Sequence, residues 1–435
     1  MRILIFVILA GGFHLCFAQQ QKLIGTWEGK INVGAPLRII LEFSENNKGI
    51  LSGILRSPDQ SPAPIAADTT YTKEDSIFTG VKKFGMAFKG KLMNDSSISG
   101  SFIQGIVIPL QLKKLPSNSP VNIRADTAPK PNITYYNRDG KELFTAEEKT
   151  LSTSTGKLMG TLISPRAKIF PVLVIQAGSG PTDRNGNSPM GIKANSYRLI
   201  AEELAKNNVG TLLIDKRGIA ASAPAVNPET MLRFDDYIND LAEWIKFIKK
   251  DKRTTKVFIA GHSEGSLVGM GAAQKEKVNG YISLAGAGER IDKILFWQLN
   301  KQSPGLAATA DSMFARLRTG KKLDSVPPPL VSLLHPSMQA YMASWMKYEP
   351  CAEIKKLHIP IIIIQGTTDI QVQVKEARML KSCNPAATLT IITGMNHILK
   401  QAPADVNKNA ATYADGTLPL MPGLADVLTN FILKK

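Results

Sequence analysis

The segment Gly261-His262-Ser263-Glu264-Gly265 is the part of this chain with the clearest capacity for covalent chemistry. It follows the apolar run 257–260 and precedes a helix-compatible stretch, 266–274, so it reads G-x-S-x-G between a strand and a helix. A nucleophile in that context sits on a sharp turn whose backbone would clash with side chains two residues to either side. Glycines at 261 and 265 remove the clash. The turn lifts the Ser263 hydroxyl to the top of a sheet and aims helix N-terminal amides at it. A serine hydroxyl is a poor nucleophile without a base. The chain has five histidines, His14, His262, His335, His358 and His397. His14 belongs to an N-terminal leader, and His262 lies inside the turn with its ring directed away from the serine. His335 falls in a long insertion, and His358 precedes a strand at the wrong end of the sheet. His397, in Gly394-Met395-Asn396-His397, follows the strand-like run 389–392 at its carboxyl end and is the expected base.

A base of this kind must be held in one tautomer by a carboxylate. Asp369, in Gly366-Thr367-Thr368-Asp369, follows the apolar run 359–364, and the order Ser263, Asp369, His397 is the chain order of the G-x-S-x-G folds. Asp405, the rival carboxylate, lies beyond His397 and out of that order. The tetrahedral oxyanion requires backbone N–H donors. One is expected from Glu264, directly after the serine. The other is expected from Ser179, in the loop Ala177-Gly178-Ser179-Gly180-Pro181-Thr182-Asp183-Arg184. There, Gly178 and Gly180 let the backbone approach a substrate. Phosphate cradling by that loop is excluded, since neither a Walker lysine nor G-x-G-x-x-G follows. Arg217, in Asp215-Lys216-Arg217-Gly218, is expected to brace the site loops by pairing with Asp183 or another carboxylate, with a solvated surface position as the competing reading. The Glu264 carboxylate is expected to serve structure rather than acid–base work.

These residues need a scaffold that holds loop ends together. The runs 169–175, 210–214, 257–260, 281–285, 359–364 and 389–392 are continuously apolar, as strands buried on both faces are. Between the second and third, Phe234, Tyr237, Ile238, Leu241, Trp244, Ile245 and Ile248 recur at helical spacing. Alternating strands and helices predict a mostly parallel sheet with helices on both faces, over residues 140–435. Residues 289–356 interrupt the alternation with helical pieces around 311–319 and 337–347, split by Pro327-Pro328-Pro329, and are expected to form a helical cap. Residues 22–115 instead carry short alternating runs at turn-separated spacing, as in an all-β barrel or sandwich. Residues 116–134, rich in Pro, Ser and Asn, read as a linker.

Taken together, Gly178-Ser179-Gly180-Pro181-Thr182-Asp183-Arg184, Asp215-Lys216-Arg217-Gly218, Gly261-His262-Ser263-Glu264-Gly265, Gly366-Thr367-Thr368-Asp369 and Asn396-His397 resemble the α/β-hydrolase superfamily. The chain looks most like its secreted bacterial carboxylesterases and serine aminopeptidase-like hydrolases that carry a β-rich N-terminal domain. The resemblance covers residues 140–435 and only loosely 22–115. It departs from the pattern at Ala177, where many relatives have His, and this bears on the shape of the oxyanion loop. The resemblance implies a carboxylesterase of small or short-acyl esters, working through an acyl-enzyme on Ser263 without a metal or organic cofactor. A peptidase on the same triad is the alternative, ahead of an acyltransferase and of a non-catalytic envelope-binding protein.

The remaining features set the context. Of 435 residues, 53 are Lys or Arg against 36 Asp or Glu, a formal net charge of +17. That excess invites nucleic-acid binding, but it is spread over both parts of the chain in proportion to length. The densest run, Lys246, Lys249, Lys250, Lys252, Arg253 and Lys256, falls at a helix C-terminus, where positive charge suits the dipole. Small-molecule esters, not nucleic acid, are therefore the expected partners, with at most loose association with an anionic envelope. Met1-Arg2, an apolar run to Ala10 and Cys16-Phe17-Ala18 before three glutamines read as a signal peptide over 1–18. The apolar run is too short to span a membrane. Lipoprotein processing at Cys16 is disfavoured because His14-Leu15 precede it. An exported, periplasmic or extracellular protein is expected. Its two remaining cysteines, Cys351 and Cys383, are left open by their spacing between a disulfide and two free thiols.

Overall fold

The computed structural model of the protein describes residues 21–434 apart from 33–35, 47–48, 58–60, 74, 82–85, 105, 117–132, 137–141 and 226–230. The expected signal peptide and most of the expected linker lie outside the described residues. The chain divides into two compact units, Met1–Thr127 and Ala128–Lys435.

The first unit is one antiparallel sheet of nine strands, β1 Gly25–Asn32, β2 Pro36–Glu45, β3 Leu51–Ser57, β4 Ser61–Ala66, β5 Thr69–Lys73, β6 Ser76–Val81, β7 Met86–Asn94, β8 Ser97–Gln104 and β9 Ile106–Lys114. Their order is β4-β3-β2-β1-β9-β8-β7-β6-β5. The sheet curls until its two ends meet. The Ala67 N–H donates to the Gly53 carbonyl at 2.8 Å, and a Cβ on Gly53 of β3 would stand 2.7 Å from the Thr70 hydroxyl of β5. Alternation explains the interior: β3 buries every second residue, and Trp27, Phe88, Ile98, Leu110 and Leu112 fill the inside of the curl. This is a single closed-up sheet of the barrel kind rather than two packed sheets.

The second unit is built on another nine-stranded sheet, β10 Ile133–Tyr136, β11 Glu142–Thr153, β12 Gly156–Pro165, β13 Phe170–Gln176, β16 Gly210–Ile214, β17 Thr254–His262, β18 Gly280–Leu284, β19 Ile361–Gly366 and β20 Thr388–Ile392. A two-strand ladder, β14 Asn187–Ser188 with β15 Ile192–Lys193, stands apart. The main sheet runs β10-β11-β12-β16-β13-β17-β18-β19-β20. Pairing is antiparallel from β10 to β16 and parallel from β16 through β20. The long hairpin β11–β12 and strand β10 extend the sheet beyond the six apolar runs of the sequence.

Alternate residues of the parallel strands feed separate cores. Val172 and Val174 pack with the helices Phe234–Lys249 and Glu264–Lys275. Leu173 and Ile175 pack with Ser196–Lys206 and Leu424–Lys434. Each strand is therefore apolar on both faces, which is why its sequence shows no period of two. From β13 the chain first steps to one neighbour, β16, and then crosses to the other, β17. Such a reversal leaves a crevice beyond the carboxyl ends of the central strands.

Between β18 and β19 the chain forms helices Ile291–Gln302, Pro304–Arg318, Val331–Leu334, Gln339–Trp345 and Pro350–Lys355. The last of these is covalently tied to helix Val374–Cys383 by a Cys351–Cys383 disulfide, with Cα atoms 5.3 Å apart, which resolves the question that spacing left open. The bridge closes a loop with a sequence separation of 32, so loop-closure entropy in the unfolded chain assigns it about 3–4 kcal/mol. The double variant Cys351→Ser/Cys383→Ser should therefore melt roughly 5–10 °C lower, read by differential scanning calorimetry. An unchanged melting curve would show that the bridge adds nothing to stability.

Candidate active site

Ser263 sits between β17, which ends at His262, and the helix that begins at Glu264. Its backbone has φ 54° and ψ −121°, a conformation that non-glycine residues rarely adopt and that clusters at functional sites. The turn is held by a 2.9 Å bond from the Ser263 N–H to the Leu284 carbonyl of β18. The flanking glycines are required. A Cβ at 261 would stand 2.2 Å from the Gly265 carbonyl oxygen, and one at 265 would stand 2.4 Å from that of Gln176. Gly178 is likewise tight against the serine, since a Cβ there would stand 3.1 Å from the Ser263 Cβ.

Asp369 and His397 come from the loops after β19 and β20. His397 Nδ1 lies 2.8 Å from Asp369 Oδ2, and the two side chains are 5% and 1% exposed. A carboxylate only accepts here, so Nδ1 carries a proton, and in the neutral ring Nε2 then keeps the lone pair that a general base needs. Burial alone would raise the Asp369 carboxyl. The His397 ring and the N–H groups of Val372 and Gln371 outweigh it and hold the group below its ordinary value. Those two amides donate to Oδ1 at 2.9 and 2.8 Å, and the Gln365 amide donates to Oδ2 at 3.0 Å. Asp405, the out-of-order rival, instead caps helix Val406–Ala411 by accepting from the Lys408 N–H. Ser263, His397, Gly178 and Ser179 line one small cavity of about 70 Å³. Ser179, Gly180, Ser263 and Glu264 also line a larger one of about 790 Å³.

Each charge of Asp215-Lys216-Arg217 has a different anchor. Asp215 accepts from the Arg184 backbone N–H at 2.7 Å and from its guanidinium at 2.9 Å. Arg184 also pairs with Glu148 of β11 at 2.9 Å. Lys216 donates to the Gly178 and Gly180 carbonyls at 2.5 and 3.0 Å. Arg217 pairs with Asp240 of the helix Phe234–Lys249 and donates to the Ala225 carbonyl at 3.0 Å. Arg217 thus has a carboxylate partner, but not Asp183, which accepts the backbone N–H groups of Asn185 and Asn187 within its own turn. The reason is reach: Arg217 points toward the Thr155 turn and Asp240, while Arg184 and Lys216 hold the loop of Asp183. The Glu264 carboxylate is buried; it accepts from the Tyr341 hydroxyl and lies 3.6 Å from Lys216 Nζ. Burial, and then that carboxylate, push the Tyr341 hydroxyl far above its ordinary range, so it remains a donor.

Lys216, His262 and Tyr197 are site residues that their positions in the sequence do not reveal. His262 Nε2 faces the His397 carbonyl oxygen at 2.8 Å. A carbonyl only accepts, so Nε2 carries the proton and Nδ1 accepts from the Tyr197 hydroxyl at 2.8 Å. The Tyr197 oxygen in turn receives the Gly178 N–H at 3.4 Å. This run of bonds joins the loop of Gly178 to the loop of His397. A polar ring closing an otherwise apolar strand was its signal at the level of sequence. Of the densest basic run, Lys246 and Lys249 approach Glu276, and Arg253 bonds Glu147 and Asp251. No helix among the described residues is long and apolar enough to cross a membrane.

The chain resembles known proteins over its second unit. Residues 190–401 match the model of a family described as serine aminopeptidase, S33. The chain is 27% identical over 259 residues to esterase EstD of Thermotoga maritima, covering 58% of this chain. It spans 60% of the length of that curated relative. Among solved structures, the esterase Pf2001 of Pyrococcus furiosus is similar at 16% identity, with 67% of this chain and 91% of that one covered and a TM-score of 0.45. Est1E of Butyrivibrio proteoclasticus is similar at 16% identity, covering 66% and 98%, with a TM-score of 0.41.

The His262 connection carries a pH signature. Burial, then the nearby His397, push the His262 ring from 6.5 down to about 3. Between those values the unfolded chain binds a proton that the folded protein refuses. The stabilising contribution is therefore full above pH 6.5 and lost as pH falls toward 3. Melting temperatures measured from pH 7 to pH 4 should fall, and His262→Gln, which cannot titrate, should flatten the fall. Parallel curves for the two proteins would contradict this.

Proposed function

We propose that the protein is a serine hydrolase of the α/β-hydrolase superfamily that cleaves carboxylic esters through an acyl-enzyme on Ser263, a reading supported by the family match over residues 190–401 and by the similarity to an esterase. The observation that carries the proposal is the buried Asp369–His397 pair, with Nε2 free, sharing a cavity with a serine on a strained strand-to-helix turn. In this reading Ser263 Oγ attacks the ester carbonyl while His397 Nε2 takes its proton. The Ser179 and Glu264 amides receive the oxyanion, and His397 passes the proton to the leaving alkoxide. A water deprotonated by the same nitrogen then releases the acid. Asp369 keeps Nδ1 protonated and offsets the imidazolium charge.

The wall of the larger cavity favours esters with an apolar arm. Leu267 from the helix after the serine, and Ile294, Leu295, Met338, Met342 and Trp345 from 289–356, line its roughly 790 Å³, a volume suited to a ligand of drug-like size. Residues 289–356 act as a cap in this proposal, and the acyl chain is short to medium in length. A peptidase releasing N-terminal residues would need an anion free to hold the amino group. Of the two carboxylates that line this cavity, Glu264 is engaged by Tyr341 and Lys216, and Glu289 by Lys375 at 3.5 Å, and this supports the ester reading. Export with signal cleavage after Ala18 completes the proposal, supported by the Cys351–Cys383 disulfide, since such bridges persist in oxidising compartments.

The decisive test combines labelling with turnover. A fluorophosphonate probe should form its adduct on Ser263. Hydrolysis of p-nitrophenyl butyrate should fall by at least ~10³-fold in Ser263→Ala, as when a covalent nucleophile is removed. Across a p-nitrophenyl panel, butyrate and hexanoate should exceed acetate, and aminoacyl p-nitroanilides should be slowest. Wild-type turnover in Ser263→Ala would overturn the assignment, and faster anilide release would favour the peptidase.

A further inference from the structure

Lys216 is 4% exposed, an unusual place for an ammonium group, which burial alone makes costly to keep charged. Two of its N–H bonds and its charge are accounted for on one side of the site. Nζ donates to the Gly178 carbonyl at 2.5 Å and to the Gly180 carbonyl at 3.0 Å, and it lies 3.6 Å from Glu264 Oε2. The Tyr237 ring centroid, 5.2 Å from Nζ, covers it further. Glu264 is fixed from its other oxygen by Tyr341.

Those two carbonyls flank Ser179. The peptide between Gly178 and Ser179 is trans, as are all the described peptide bonds, so its C=O and its N–H point in opposite directions. Whatever grips the Gly178 oxygen therefore sets where the Ser179 N–H points. The rest of the loop is pinned in the same sense. The Thr182 hydroxyl donates to the Ser179 carbonyl at 3.1 Å, and the Thr182 N–H to the Gly180 carbonyl at 2.9 Å. Gly180, at φ +73°, supplies the left-handed step that returns its own carbonyl to the same ammonium.

We propose that Lys216 is a positioning residue that holds the Gly178 and Gly180 carbonyls so that the Ser179 N–H faces the oxyanion, and that clamps Glu264, the residue bearing the other donor, to the same point. The inference rests on the serine-hydrolase reading above. It assigns Lys216 no contact with substrate and no proton transfer. It also gives the Glu264 carboxylate a reason to be buried beside a nucleophile. Glu264 neutralises the lysine, and through Tyr341 it ties the oxyanion loop to the helix Gln339–Trp345, which lines the larger cavity.

The test uses Lys216→Met, which keeps the aliphatic stem and removes the donor, on the full chain. With p-nitrophenyl butyrate, kcat should fall on the order of 10²-fold, the loss typical of one oxyanion donor, with KM within about threefold. A trifluoromethyl ketone, whose hydrate-like adduct on Ser263 carries the oxyanion, should lose affinity in parallel. The unfluorinated ketone should bind as before. Lys216→Met/Glu264→Gln removes the carboxylate left without its cation. It should keep the low kcat while restoring any lost melting temperature, and it takes the place of the single variant if that one does not fold. Wild-type kcat in Lys216→Met, a loss confined to KM, or recovery of kcat in the double variant would overturn the proposal, the last by showing that Lys216 only neutralises Glu264. Absence of turnover and of probe labelling in the wild-type protein would instead overturn the serine-hydrolase reading itself.

Discussion

The backbone crowds in on Ser263 from three directions, and the second unit is arranged around that crowding. The Gly265 carbonyl lies where a side chain at 261 would stand, and the Gln176 and Ala177 carbonyls lie where one at 265 would stand. With those side chains absent, the helix Glu264–Lys275 begins directly against the end of β13. The serine takes a backbone conformation it would not choose alone, and only surroundings that over-determine it can keep it there. The loop of Gly178 is thereby drawn within van der Waals distance of Ser263, at the point where the strand order reverses.

Around this point the protein buries charge and pairs it. Asp369 accepts from two backbone amides, a glutamine and His397. Asp215 holds Arg184, Lys216 holds two carbonyls, and Arg217 holds Asp240. An ion moved out of water is costly unless its partners are in place. A loop whose conformation breaks one of these pairs therefore leaves an unpaired buried charge. Loops, which are ordinarily the mobile part of a fold, are here fixed by the three successive side chains at the end of β16. The His262–Tyr197 connection does the same with neutral groups, joining the loops of Gly178 and His397 through an imidazole that stays uncharged.

How much of this could be read in the sequence followed the physics of each element. The six central strands are apolar on both faces and announce themselves as runs. The hairpin β11–β12 does not, because β11 carries Glu147, which pairs with Arg253 and Lys149, and Glu148, which pairs with Arg184 and accepts from the Thr161 hydroxyl, and those charges hide its strand character. Strands β4 to β7 of the first unit are hard to read for a related reason: short, threonine-rich or glycine-interrupted segments acquire their inner face only when the sheet curls. Arg217 was legible as a bracing residue. Its partner was not, since Asp240 is 23 residues away and meets it only because the helix Phe234–Lys249 packs beside β16.

The sequence by itself determined the class of fold, through the alternation of apolar runs with helical periodicity. It also determined which serine could occupy a sharp turn, since only a residue between glycines two positions to either side fits one. Its limit is that both signals are local. Tertiary structure alone decided the pairing of Cys351 with Cys383, the tautomers of His262 and His397, and the reach of Lys216 to the carbonyls on both sides of Ser179. Each of these depends on which atoms of distant segments come within about 3 Å in a dry interior, and there hydrogen-bond geometry, not residue type, sets what a side chain does.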